Sequence, residues 1–420
     1  MISVFLQHSK LKKMKQIALF LALCLPMAAT AQTTLTVSVS NPLNNARADQ
    51  PVIISLSAYG NVRSALVTTG EQEIPCQLDD LNRDHTNDEL CFLADLKGKE
   101  TKTYKVTLFS EGKPRQYPAR VYAEMVIRNE KVKQKNKHDF YIESITARGD
   151  VNSYTMQHHH GVAFESELNG IRIYFDKRQT LDLYGKYHKR LEIMDTQFYT
   201  QPDQKTAGYG DDVLWVGNTF GLGALRGWNG QEPTMIEPVE TRSQRIVANG
   251  PLRTIVEVND YKWPLPVSKQ DVEMTIRYTQ YAGHRDTDVD ATIIPFTNGT
   301  TEIEPLSTGI INIKDSEAFS DHQGLRGCWG TDYPASDTVN WKRETVGLGI
   351  FIPKNHLVSE QPANKDNYAF VVKTKNDKLS YKIAYCSDNE DFGMHNKKDW
   401  FDWLKEWRRE IEAPVKVTIR

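Results

Sequence analysis

The sequence has little cysteine, five residues in 420. No two of them form a CxxC pair, which excludes a zinc ribbon or a thioredoxin-type site. Positive charge is not in excess: 52 Lys and Arg stand against 54 Asp and Glu, with no basic stripe and no RNA- or DNA-binding motif. Nucleic acid is therefore not an expected partner. Beyond Ala29 no apolar run is long enough to cross a bilayer as a helix. No motif recurs at a fixed period, which argues against a propeller or solenoid.

The N-terminus has a distinct pattern. Lys10, Lys12, Lys13 and Lys15 precede an apolar run from Ile17 to Ala29, and Ala29-Thr30-Ala31 follows as a small-x-small cleavage site. This is the three-part pattern of a secretory leader, and the run is too short for a permanent span. Cleavage after Ala31 makes Gln32 the mature N-terminus and the periplasm the expected location. Met14-Lys15 is an alternative start that gives a leader of ordinary length. Cys24 follows Leu21-Ala22-Leu23, a poor lipoprotein box, so lipid anchoring is not expected. The leader takes four of the 52 basic residues and none of the 54 acidic ones, leaving 48 against 54, a net −6. Four cysteines remain, Cys76, Cys91, Cys328 and Cys386, in a compartment that permits disulfides.

The rest of the chain reads as β. Short apolar or alternating runs rich in β-branched and aromatic residues recur at Leu35–Val39, Val52–Leu56, Tyr104–Leu108, Ile171–Phe175, Ile255–Val258, Val272–Tyr278, Val289–Ile293, Ile310–Ile313, Leu348–Ile352, Phe370–Val372 and Tyr381–Tyr385. Asn-Gly at 169–170, 229–230, 249–250 and 298–299 suits type I′ hairpin turns. One helix is expected, over 398–411, with Trp400, Leu404, Trp407 and Ile411 on one face. That spacing favours core packing over a sugar platform. Pro414 stops it, and Val415–Ile419 reads as a last strand. Turn-like and charged stretches between 112 and 140 place a boundary there. The expected organisation is a leader over 1–31, a small N-terminal β-domain over 32–115, and a large antiparallel β-domain over 116–420.

Residues 79–89 form an acidic loop. Asp80, Asn82, Asp84 and Asp88 follow a D-x-N-x-D-x-x-x-D pattern, and Thr86 is placed to offer a carbonyl. Such loops supply the hard oxygen ligands of Ca²⁺. His85 stands where such loops usually have Gly, and the alternative is a solvated loop held by Asx turns. If the loop closes a hairpin centred near Arg83 and Asp84, Cys76 and Cys91 face each other, either as a cross-strand disulfide or as two buried thiols.

Parity sorts the segment 171–184 into two faces. Ile171, Ile173, Phe175, Leu181 and Leu183 should face the core. Arg172, Tyr174, Asp176, Arg178, Asp182 and Tyr184 should share the other face, a composition suited to sugar hydroxyls and carboxylates, or else a solvated face. Upstream, His158 and His160 would share a strand face, with His159 pointing away. The pair suits acid/base work, or zinc if a third ligand existed, or structural hydrogen bonding. Tyr187-His188 and Asp211-Asp212 are near enough in sequence to join them.

The acidic loop 77–90, His158-His159-His160-Gly161, Arg172 to Arg178, Asp182 to Lys186, Asp212-Val213-Leu214, Asn249 to Arg253 and Cys328-Trp329-Gly330 together resemble a family of exported domains of unknown function from polysaccharide-degrading bacteria. The similarity runs over nearly the whole mature chain. Such domains are encoded near, or fused to, hydrolases of unsaturated uronates from pectin. The resemblance implies a β-supersandwich related to galactose mutarotase and to the β-domains of polysaccharide lyases, and no established activity. The expected function is a lyase or hydrolase of uronate-containing oligosaccharides, with no cofactor needed for the chemistry. Arg172 or Arg178 would neutralise the uronate carboxylate. A histidine or Tyr184 would take the α-proton, and Lys186 would stabilise the developing enolate. Tyr174, Asp176, Asp182, Asp212 and Trp329 complete the substrate-binding set. The alternatives are a mutarotase- or epimerase-like enzyme with Asp176 or Asp212 as base, and a non-catalytic sugar-binding protein.

Overall fold

A computed structural model describes residues 32–134, 137–296 and 302–420. Residues 1–31, read from the sequence as a leader with its cleavage site, lie outside the described residues, as does Asn298-Gly299. The chain is mainly β, in antiparallel sheets, with no closed barrel among the described residues. Each of the eleven runs read as strands falls on a strand.

Two small sheets enclose one core. Strands Lys416–Ile419, Gln32–Ser40, Thr101–Phe109, Ser64–Thr69 and Gln72–Ile74 form the first, and Arg47–Ser55, Glu89–Leu96 and Cys76–Asp79 the second. Alternate residues such as Val37, Val39, Val52, Ile54, Phe92, Tyr104 and Val106 fill the space between them. The last strand of the chain pairs with the first described one, Val37 opposite Ile419.

The larger unit is a two-layer sandwich. One layer is a nine-stranded sheet from Ser144–Arg148 at one edge to Glu317–Ser320 at the other. The other layer is two five-stranded sheets. One is built on Gly161–Ser166, Gly170–Tyr174 and Leu181–Gly185, and the other on Leu306–Ile311 and Asn367–Val372. Isolated bridges from Leu181 to Gly221 and from Leu222 to Ile310 link these two sheets. Phe164, Ile171, Ile173, Leu181 and Leu183 meet Val256, Ile276, Val289 and Ile383 of the nine-stranded sheet in the main core.

The helix Lys397–Glu412 covers the nine-stranded sheet, with Trp400, Leu404 and Trp407 buried, as the spacing predicts. Asn396 caps it by accepting from Asp399 N–H at 3.0 Å. Gly347 permits the contact, because a Cβ there would lie 2.7 Å from the Trp400 indole. Buried polar links tie the small unit to the large one. Gln77 accepts from the N–H of Leu252 and Arg253, and Arg253 pairs with Asp79 and Glu89 at 2.7 Å.

Three Asn-Gly pairs sit at hairpins, but not in type I′ turns. The connections are three or four residues long, and only Gly230 of these residues has positive φ.

Candidate functional site

The polar face predicted by parity exists. In the hairpin of Gly170–Tyr174 with Leu181–Gly185, Arg172 stands opposite Asp182. Arg172 Nε and Nη2 donate to Asp182 Oδ2 at 2.9 and 2.6 Å, and Nη2 also donates to Asp212 Oδ2 at 3.1 Å. The Tyr174 hydroxyl donates to the same Asp182 oxygen at 2.7 Å. Burial disfavours the Arg172 cation, but Asp182 and the groups around it outweigh burial and hold it firmly charged. The Asp212 carboxyl is pushed well above the usual carboxylate range by burial and by neighbouring Asp182. Further along, Arg178 donates from Nε and Nη2 to Asp176 at 2.8 and 2.5 Å and lies over the rings of Tyr154 and Tyr174.

The histidines lie on a turn, not on the expected strand, so parity is not what groups them. His160 sits at φ +66°, where the turn enters strand Gly161–Ser166. Its ring stacks on Tyr154 at 4.0 Å with planes 4° apart, and its Nδ1 is 3.0 Å from the Tyr154 carbonyl. A carbonyl only accepts, so Nδ1 carries the proton and Nε2 is left as the acceptor. Burial, reinforced by Arg172, lowers the His160 pKa to about 4. His158 is buried against His138 at 4.2 Å and Tyr199 at 5.2 Å, with no hydrogen-bond partner on either ring nitrogen. Burial, then His138 and His159, lowers its pKa to about 3. Both imidazoles are therefore neutral near pH 7. His159 points elsewhere, as expected, with Nε2 3.6 Å from the buried Glu124.

Tyr199 joins the two groups. Its hydroxyl accepts from Arg172 Nη1 at 3.0 Å, and its ring lies edge-on to both His158 and His160. Tyr154, Tyr199 and His138 were not among the predicted site residues. Tyr199 and His138 come from loops outside the patterned strands and carry no periodicity signal.

Several predicted residues are placed differently. Lys186 lies past the end of its strand and is wholly buried. Its Nζ donates to Glu165 at 2.5 Å and to the carbonyls of Ser166 and Arg190, so it is spent on structure and cannot meet an enolate. Tyr184 is also wholly buried. Its hydroxyl donates to the Gly210 carbonyl at 2.9 Å and its ring packs on Phe198, which seals it from the face. Trp329 packs with the aromatic cluster under the C-terminal helix, apart from this face. His188 pairs with Asp391 at the surface.

The acidic loop forms the Asx turns of the alternative reading. Asp80 accepts from the N–H of Asn82, Arg83 and His85, Asn82 from that of Asp84, Asp84 from that of Thr86, and Asp88 from that of Leu81. Among the described residues no three His, Cys, Asp or Glu side chains converge as a metal site. The Cys76–Cys91 pairing fails on register. Cys76 stands opposite Phe92 and Cys91 opposite Gln77, so the thiols point to opposite faces, and all four cysteines are free and buried.

No curated protein matches the chain. Solved structures include a protein in glycosyl hydrolase family 38 from Enterococcus faecalis and an alpha-mannosidase from Enterococcus faecalis V583. Each shares 8% identity with this chain and covers 92% of it, with TM-scores of 0.47 and 0.46. The chain spans about half the length of either, 47% and 46%. Residues 39–417 match one family over almost the whole described chain, and the chain belongs to it: the domain of unknown function DUF4861.

Proposed function

We propose that the chain is an exported, periplasmic carbohydrate-active protein whose polar face takes a uronate-containing, pectin-type oligosaccharide, with β-elimination as its reaction. One observation carries the reading. His160 is a half-buried neutral imidazole whose tautomer leaves Nε2 unprotonated, packed on Tyr154 and Tyr174, whose rings the partly exposed Arg178 guanidinium also covers. β-Elimination from a uronate needs a cation at the carboxylate, a base at the α-carbon and an acid at the departing oxygen. Arg178 supplies the first through Nη1, since Asp176 holds its Nε and Nη2, and His160 Nε2 supplies the second. Tyr199, whose phenol burial keeps protonated, supplies the third. The C–H electron pair becomes the new double bond as the glycosidic C–O bond breaks. Arg172, Tyr174 and Asp182 hold the face rigid.

A panel of uronate oligosaccharides tests this. A rise in ultraviolet absorbance, lost in His160→Ala, supports elimination, and its absence across the panel sinks it. Hydrolysis is favoured by one observation, the Asp212 carboxyl, which burial and neighbouring Asp182 push well above the usual carboxylate range, the direction a general acid needs. New reducing ends without absorbance would select that reading. The proposed calcium at the acidic loop would have to draw its carboxylates off the backbone N–H groups they now accept from. Sequencing the N-terminus of the native protein tests export, with Gln32 expected first.

A further inference from the structure

A second site lies beneath the C-terminal helix. There a cleft of about 480 Å³ opens between the helix, the nine-stranded sheet and the strand Arg47–Ser55. It shares no residue with the polar face described above. One wall is aromatic. Trp403 and Trp407 line it, continuing a stack in which Trp400, Trp403 and Trp407 follow at 5.2 and 5.6 Å. The other wall is polar and built from paired charges.

Every cation that lines the cleft is already engaged. His284 Nδ1 is 2.9 Å from Asp286 and its Nε2 is 2.8 Å from the Asp49 carbonyl. Both partners accept, so both nitrogens carry protons and the ring is an imidazolium. Asp286 also accepts from Trp407 Nε1 at 3.0 Å, which locks the indole to the sheet. Lys382 pairs with Asp288, and Arg285 with Glu390 at 3.0 Å. Arg47 donates to the carbonyls of Ala413 and Glu410 and stands 3.8 Å from the Glu410 carboxylate. A ligand carboxylate entering here finds each cation already engaged, and the one guanidinium nitrogen without a hydrogen-bond partner, Arg47 Nε, is buried. A hydroxyl finds carboxylate acceptors on Asp288 and Glu410, both partly exposed.

An aromatic wall facing fixed polar groups in a cavity of this size is the composition that holds one or two pyranose rings. Their C–H patches pack against the exposed part of Trp403, which is half-buried within the stack, and their hydroxyls lie on the polar side. We propose that this cleft binds uncharged sugar residues, in contrast to the acidic sugar assigned to the polar face. A chain acting on a branched acidic glycan would then hold its neutral side chain here, while binding in the cleft requires nothing of the first site.

The test uses the mature chain and galactobiose, arabinobiose, xylobiose and digalacturonate as separate probes, followed by tryptophan fluorescence and calorimetry. At least one neutral disaccharide should bind with Kd of about 1 mM or tighter. Trp403→Ala should weaken it at least about tenfold. Glu410→Gln should weaken it less, and His160→Ala should leave it unchanged. Thermal melts confirm that each variant is folded. If Trp403→Ala is unstable, hydrogen-exchange protection of the wild type on adding the disaccharide must fall on residues 281–288 and 403–411. No neutral binding at about 10 mM, tighter binding of digalacturonate in the cleft, protection elsewhere, or binding unchanged in a folded Trp403→Ala would each overturn the proposal.

Discussion

The polar face and the cleft under the helix both bury histidine, and they set its charge in opposite senses. On the face, His158 and His160 are enclosed by rings, and burial drives their pKa values to about 3 and about 4. In the cleft, burial also opposes the cation of His284, but Asp286 and the Asp49 carbonyl outweigh it and raise the pKa. Depth is common to both, and the number of acceptors facing the ring decides. The face therefore keeps a neutral base. The cleft keeps a fixed cation, and with it a balanced set of charges that leaves room for an uncharged ligand.

The largest effect should come from the part of the face that is sealed. Lys186→Met leaves Glu165 buried without its cation, which should cost roughly 3–5 kcal/mol in denaturant unfolding. Glu165→Gln added to it should recover part of the loss. It cannot recover all, because Glu165 also accepts from the N–H of Glu192 and Ile193. A cost under about 1 kcal/mol would mean that Lys186 is not held as described. Next comes His160→Ala, expected to reduce turnover of an identified substrate at least about a hundredfold. Tyr184→Phe is its control. The variant loses two buried hydrogen bonds, to the Gly210 carbonyl and the Thr200 hydroxyl, about 1 kcal/mol each, and should keep full activity. If Tyr184→Phe loses activity as His160→Ala does, the site includes Tyr184 after all.

The histidine contrast predicts opposite pH responses. His284 has a raised folded pKa. Its contribution is fully present below the unfolded value of about 6.5 and is lost as pH rises through the folded value. His158 and His160 have lowered folded pKa values. Their contribution is present above about 6.5 and is lost as pH falls toward 4 and then 3. Each proton contributes a slope of at most about 1.4 kcal/mol per pH unit. Melting profiles of His284→Gln and His158→Phe against wild type should diverge on opposite sides of about pH 6.5. Divergence on the same side would break the comparison.

How much of this was legible depends on where the backbone is regular. Parity found Arg172, Tyr174 and Asp182 because their hairpin has no bulge, and it separated them from Ile171, Ile173 and Leu183. Lys186 lies beyond that hairpin, where the chain has left the sheet, and its role was read from the chemistry, not from parity. The histidines lie on a turn, where strand parity does not apply, and they share Tyr199 as a neighbour. The cysteines failed by one residue. Asp79 pairs with Glu89, which centres the loop on Asp84 instead of between Arg83 and Asp84, and a one-residue slip flips every side chain to the other face. The cleft was invisible in the sequence because its walls come from residues 47, 284 and 403, which no local pattern connects.

The smallest expected effect concerns the acidic loop. Its carboxylates already satisfy backbone N–H groups, so calcium has to replace bonds already formed, and net binding should be weak. Stabilisation by mass action is then modest. Calcium at ten times its Kd gives about 1.4 kcal/mol, a shift of a few degrees in the melting temperature at most. The shift should vanish in Asp84→Ala, whose side chain lies in the loop without contacting the large unit. It should leave the pH responses of His158 and His284 unchanged, because neither histidine faces the loop. Arg83 connects the loop to the large unit through the Ile246 carbonyl at 3.2 Å, so calcium that reshapes the loop should also loosen or tighten that contact. Hydrogen exchange at residues 80–88 with and without calcium reads this directly. A melting temperature indifferent to both calcium and chelator, with unchanged exchange across the loop, would leave it a turn held by its own side chains.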